Sequence, residues 1–72
     1  PYLSHKTEMK RRDLVNYLLK NNCVLIREGG NHSVFYNPIL KRTSTVPRHS
    51  EIDSGLGRKI CKDLGIMPIS KK

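Results

Sequence analysis

Long apolar runs are missing from this 72-residue chain. No stretch approaches the ~18 consecutive apolar residues of a membrane span. The opening Pro1-Tyr2-Leu3-Ser4-His5-Lys6 lacks the apolar centre of a secretory signal. Cysteine is scarce: Cys23 and Cys61 stand far apart, with no Cys-x-x-Cys spacing. Zinc ligands normally arrive as close pairs, so the plainer reading is two buried free thiols acting as small apolar residues in a cytoplasmic protein. The spacing alone leaves a single disulfide open. Carboxylates are few and scattered. Glu28, Glu51 and Asp53 are the mid-chain acids, and Asp13 and Asp63 fall in helical segments. A two-metal nuclease needs clustered carboxylates, so neither a metal nor a cofactor is expected. Gly29-Gly30 and Gly55-x-Gly57 lack the Lys-Ser/Thr ending of a phosphate-binding loop. A chain of this length has no room for a second core or a large cofactor fold.

Positive charge is what the chain has in excess. Fourteen Lys and Arg face six Asp and Glu, a formal charge of +8. Such a surface favours a polyanionic partner, nucleic acid first, although solubility alone is the plainer account. The cations form no single block. Lys10, Arg11 and Arg12 open one segment, Lys41 and Arg42 occupy a turn, Arg58, Lys59 and Lys62 recur late, and Lys71 and Lys72 end the chain.

Periodicity places the elements. Leu14/Leu18 and Val15/Leu19 are spaced by four, which predicts one helical stripe between about residues 10 and 22. Asn21-Asn22 supplies a residue tolerant of the left-handed conformation at its end. Cys23-Val24-Leu25-Ile26 is β-prone and runs into Arg27-Glu28. Gly29-Gly30-Asn31 is a turn signal, and Ser33-Val34-Phe35-Tyr36 resumes strand character, which together predict a hairpin. Thr43-Ser44-Thr45-Val46 is a third strand, stopped by Pro47. Short connections predict an antiparallel sheet in the order 1-2-3. Ile52, Leu56, Ile60 and Leu64 recur at steps of four and predict a second helix. Ser50 or Ser54 is its candidate N-cap, with Asp53 suited to the helix start. Gly55 and Gly57 weaken its first turn. Gly65, Ile66 and Pro68 close it. The order is α-β-β-β-α, an α+β fold with both helices on one face of the three-stranded sheet. Residues 1–8 read as an extension or expression remnant, with Met9 as a possible internal start. Residues 9–68 read as the domain and 69–72 as a basic tail.

Two histidines are placed where chemistry is possible. His32 follows the Gly-Gly-Asn turn and opens the second strand, where flexible backbone lets a large ligand approach. Imidazole exchanges protons near neutral pH, which suits acid–base work. The bland alternative is an exposed turn histidine. His49 follows Pro47-Arg48; it is either a second acid or base or a loop histidine bonded to backbone. Arg48 offers forked donors to a phosphate, or is a solvated loop charge. Phe35 and Tyr36 are adjacent on a strand, so one faces the core and the other the open face. An open-face Tyr36 could stack on a base, or simply cover apolar surface. His5 carries no signal.

The segments Met9-Lys10-Arg11-Arg12-Asp13-Leu14, Gly29-Gly30-Asn31-His32-Ser33, Thr45-Val46-Pro47-Arg48-His49 and Arg58-Lys59-Ile60-Cys61-Lys62-Asp63-Leu64-Gly65-Ile66 stand in one order. In that order the chain resembles the HicA (YcfA-like) toxin family from Met9 to about Ile66. The resemblance implies a double-stranded-RNA-binding-domain-like fold. It also implies the toxin of a type II toxin–antitoxin pair, acting as a ribonuclease on mRNA and neutralised by a HicB-type antitoxin. The family's catalytic histidine matches His32, and its second motif histidine matches His49. Asn22 stands where a glycine is common, and residues 1–8 have no counterpart. Arg48, Arg58, Lys59 and Lys62 are the candidate RNA-binding residues. The expected protein is cytoplasmic and metal-independent, acts on RNA and not on DNA, and has no membrane partner. The alternative is a non-catalytic RNA-binding module of the same fold. A pure interaction protein for an acidic partner is the third reading.

Overall fold

A computed structural model describes residues 8–69. The readings placed on residues 1–7, His5 among them, and on Lys71 and Lys72 lie outside the described residues. The order is β1 (Glu8–Lys10), α1 (Arg11–Lys20), β2 (Val24–Glu28), β3 (His32–Asn37), β4 (Arg42–Pro47), β5 (Glu51–Asp53) and α2 (Ser54–Leu64). Strands β2, β3 and β4 form the antiparallel sheet in that order, as the short connections predict. With the two helices this is the expected α+β fold.

Strand alternation sorts the sheet into two faces. Ser33, Phe35 and Asn37 of β3 and Ser44 and Val46 of β4 are buried, while His32, Thr43 and Thr45 are exposed and Val34 and Tyr36 half-buried. Phe35 therefore faces the helices and Tyr36 the open side. Both helices pack on the buried face. Leu14 and Leu18 of α1 and Ile60, Cys61 and Leu64 of α2 close the core with Phe35, Val46, Cys23, Met9 and Ile52. Asn37 is buried among them without penalty. Its Nδ2 donates to the Leu64 carbonyl at 2.7 Å, and its Oδ1 accepts from Ile39 N at 3.0 Å and Leu40 N at 3.4 Å.

Both helical stripes are narrower than the spacing predicts. Leu19 is half exposed and Val15 only partly buried, because α1 buries only Leu14 and Leu18 fully, with Val15 and Tyr17 packed at the core's margin. In α2 the buried face is Gly57, Ile60, Cys61 and Leu64. At 3.6 residues per turn Leu56 lies about 90° from the centre of that face, and it is exposed. Ile52 is not helical. It belongs to β5, which pairs antiparallel with β1 in a two-stranded ribbon that the sequence reading lacks. Met9 faces Ile52 across it, and both point into the core, while Glu8, Lys10, Glu51 and Asp53 alternate outward. The ribbon also takes in Glu8, which the sequence places in the leading segment. Gly57 has a packing role as well: a Cβ there would meet Met9 Cε at 2.7 Å and Sδ at 2.9 Å.

The helix C-termini follow their signals, but the α2 N-cap is neither Ser50, which lies before β5, nor Ser54, which is the first helical residue. Asp53 caps α2, its Oδ2 accepting from Leu56 N at 3.2 Å. Gly65 is left-handed with φ 78°, and Ile66 N donates to Cys61 O at 3.0 Å. Asn22 takes φ 70° after α1, the conformation for which a glycine is otherwise suited. Among the described residues no helix is long and apolar enough to cross a membrane.

Candidate active site at the hairpin end of the sheet

Glycine and register together shape one end of the sheet. Gly29 N donates to the His32 carbonyl at 2.8 Å, which closes the β2–β3 turn. His32 pairs in register with Pro47, and Arg48 N continues the ladder by donating to the Asn31 carbonyl at 3.1 Å. His32, Arg48 and His49 therefore gather at this end. His32 shares the open face with Val34 and Tyr36, its strand neighbours two and four residues on. Both imidazoles are exposed, and neither has a hydrogen bond or ion pair among the described residues. His49 is thus not the backbone-bonded loop histidine that was the plainer expectation.

A polar brace backs this end from the helix side. Arg11, in the first turn of α1, donates from Nε to the Pro47 carbonyl at 2.8 Å and from Nη2 to Ser33 Oγ at 3.1 Å. The fully buried Ser33 donates on to Glu28 Oε2 at 3.3 Å. The same carboxylate oxygen receives Arg48 Nη1 at 3.1 Å, and that nitrogen also donates to the Gly29 carbonyl at 3.0 Å. Helix α1, both strands of the hairpin and the end of β4 are so joined through four side chains. Arg48 is committed to this brace through one nitrogen, which leaves only the rest of its guanidinium for a phosphate.

Glu28 joins the brace because of a bulge. The β2–β3 register shifts between Leu25 and Arg27 and sets Glu28 opposite Ser33. An unbroken ladder would set it opposite His32, on the other face. Arg11, Ser33 and Glu28 were absent from the candidates drawn from the sequence. The readable signal was a carboxylate and a hydroxyl flanking the Gly-Gly-Asn-His turn on its two strands.

The late cations lie elsewhere. Arg58, Lys59 and Lys62 are exposed on α2 and line one depression of about 480 Å³ with Gly55, Gly65, Ile66 and Pro68. Lys59 pairs with Asp63 at 3.3 Å. Lys62 also lines a second depression beside Arg42 and Thr43. They are together with one another but behind the sheet, not on the face that carries His32. Arg42 pairs with Asn37, five residues along the ladder from the His32–Pro47 pair, or about 17 Å at ~3.4 Å per residue. Among the described residues no group of three or more His, Cys, Asp or Glu side chains is gathered as a metal centre requires.

Comparison with known families matches residues 11–66 to the family described as the HicA toxin of bacterial toxin-antitoxin. No curated protein and no solved structure matches the chain. The family match runs from the first residue of α1 to Ile66, taking in the hairpin, its brace and both histidines. The chain therefore belongs to the HicA toxin family, the toxin half of a toxin–antitoxin system whose partner is an antitoxin.

Proposed function

We propose that the protein is a metal-independent endoribonuclease that cleaves mRNA, the toxin of a type II pair held inactive by a HicB-type antitoxin. The observation that carries this reading is His32. It is an uncommitted, exposed imidazole at the first position of β3, on a hairpin whose backbone is fixed by Arg11, Ser33, Glu28 and Arg48. An acid–base group needs a ring nitrogen open to substrate, and a fixed backbone helps to place it; this residue has both.

In the proposed reaction the ribose 2′-OH attacks the adjacent phosphorus as its proton leaves. The new bond joins the 2′-oxygen to phosphorus, and the bond to the 5′-oxygen breaks. The products are a 2′,3′-cyclic phosphate and a 5′-OH. His32 takes the first proton or delivers the second, and His49, at the same end of the sheet, is the candidate for the other transfer. The nucleophile belongs to the substrate, so no metal-bound water is required. DNA lacks the 2′-OH and is spared. The free part of the Arg48 guanidinium is the candidate to steady charge on the phosphoryl oxygens. Arg58, Lys59 and Lys62 are candidate contacts to more distant backbone, where each phosphate contact makes affinity fall with salt.

The test is cleavage of a labelled single-stranded RNA in EDTA by the parent chain and by His32→Ala, with the matching DNA as control. Proton transfer by a positioned side chain contributes about 10²–10⁴-fold. The expected result is RNA cut by the parent, DNA intact, and cleavage by His32→Ala lowered by that order while RNA binding persists. RNA bound but left whole by both proteins would overturn the reading in favour of a non-catalytic RNA-binding module. Equal cutting by both would remove His32 from the mechanism.

A further inference from the structure

The hairpin end of the sheet holds a second cationic feature that the catalytic reading leaves unused. Lys10, Arg11, Arg12, Ser50 and Glu51 line an open depression of about 400 Å³. Its place in the fold is fixed by backbone: Arg11 N donates to the Ser50 carbonyl at 2.9 Å, and Ser50 directly follows His49. Arg11 also reaches Pro47, the register partner of His32. The depression is therefore bound to the same end of the sheet as the two histidines, whereas Lys62 and Arg42 mark the opposite end.

We propose that this depression binds an RNA backbone phosphate neighbouring the one cleaved, with Lys10 and Arg12 as its principal cations. The proposal rests on the ribonuclease reading for its substrate. Three cations and one carboxylate line the depression, so its lining is net positive; Glu8 and Asp53 stand beside Glu51 on the ribbon and hold part of that charge in check. The cations' internal commitments are light. The Arg12 side chain has no hydrogen bond or ion pair among the described residues. Lys10 approaches Glu51 only to 3.9 Å, with both side chains more than half exposed, and such a pair contributes roughly 0–1 kcal/mol. Arg11 spends Nε and Nη2 on the brace and keeps Nη1. Ser50 adds a hydroxyl able to donate to a phosphoryl oxygen. A polyanion entering at His32 and His49 meets these groups next. The α2 cations would follow only after the strand has turned behind the sheet.

The test is RNA affinity as a function of salt, measured on a fluorescein-labelled single-stranded RNA in the His32→Ala background. Lys10→Gln/Arg12→Gln removes two charges at the site, and Lys20→Gln/Lys41→Gln removes two elsewhere. Each phosphate contact contributes a slope of about 0.7 in log K against log salt for single strands. Loss of both contacts should lower the slope by about 1.4 and affinity at 0.1 M salt by about ten- to thirty-fold. The charge-matched control should change far less, and Lys10→Arg/Arg12→Lys should retain affinity. Equal affinity and slope in the site variant and the control would overturn the proposal. Cleavage by the parent distinguishes the two readings. A parent that cuts RNA while the site variant binds as the control does refutes the subsite alone. A parent that binds but never cuts, with the site variant weakened, keeps the subsite and refutes the nuclease. A parent without RNA affinity refutes both.

Discussion

Glu28 is the residue on which the brace converges, and its role separates positioning from folding. It holds Arg48 Nη1 and Ser33 Oγ with a single oxygen. The Arg48 pair is about half exposed, so its share of stability is under about 1 kcal/mol. Glu28→Gln should therefore melt close to the parent and bind RNA at least as well, since a negative charge is removed near the site. Cleavage should fall about tenfold or more, because misplacement by 1 Å can cost ~10²-fold. Amide exchange at Gly29 should quicken as the turn loosens. Unchanged cleavage would remove Glu28 from the positioning scheme. Ser33→Ala differs in kind. It leaves Arg11 Nη2 facing a buried methyl, and about 1–2 kcal/mol of stability should go with it in denaturant titration. At this scale the sequence singled out His32 as a candidate because a glycine turn beside an imidazole is a local pattern. Glu28 and Arg48 lie twenty residues apart and meet through a bulge at Ile26. Nothing in Leu25-Ile26-Arg27 announces that bulge, so the brace was out of reach.

At the scale of elements the ends were legible and the middles less so. Capping is local chemistry: Asp53, Asn22 and Gly65 perform the parts their residue types suggest. Burial of a helical face depends on where the helix sits, which is why Leu19 and Leu56 turned out exposed. The β1–β5 ribbon joins three-residue segments more than forty residues apart, too short to show alternation. Its Met9–Ile52 contact was read instead as a possible start residue and a helical position. The caps give two graded expectations. Asp53→Ala should lose about 1 kcal/mol, a typical N-cap deletion. Gly65→Ala should lose about 1–2 kcal/mol of left-handed strain; its new methyl also meets Leu40 Cδ1, but that side chain is exposed and can swing aside. Urea titration with unchanged m-value checks both. A Gly65→Ala loss smaller than that of Asp53→Ala would mean that the α2 end relaxes at no cost. Strand β2 is exposed along its whole length, with Val24, Leu25 and Ile26 among its exposed residues. A free edge of that kind promotes self-association, so Ile26→Lys should keep the isolated chain soluble at higher concentration in light scattering.

For the whole molecule, one core holds both helices to one sheet, and two thiols report on its integrity. Cys23 precedes β2, Cys61 lies in α2, and both are buried. Burial pushes both thiols above their ordinary value of 9.0, and the nearby Cys61 charge raises Cys23 further. A backbone hydrogen bond from Ile69 works against the rise at Cys61 without cancelling it. The folded chain thus holds these protons more tightly than the unfolded chain. Below about pH 9 both states are protonated, and the thiols do not penalise folding. As pH climbs past 9 the unfolded chain ionises first, so stability falls until the folded pKa values are passed. Alkaline pH also acts on the chain's overall charge, and the parent's slope alone would not identify the thiols. The discriminating comparison is Cys23→Ala/Cys61→Ala. Its loss of unfolding free energy between pH 8 and 10 should be shallower than the parent's, whatever its absolute stability. A thiol reagent should also modify the parent only at the rate of opening, since the thiolates form chiefly when the core parts. Parallel slopes in the two proteins, or modification as fast as in urea, would show that these thiols ionise within the folded core.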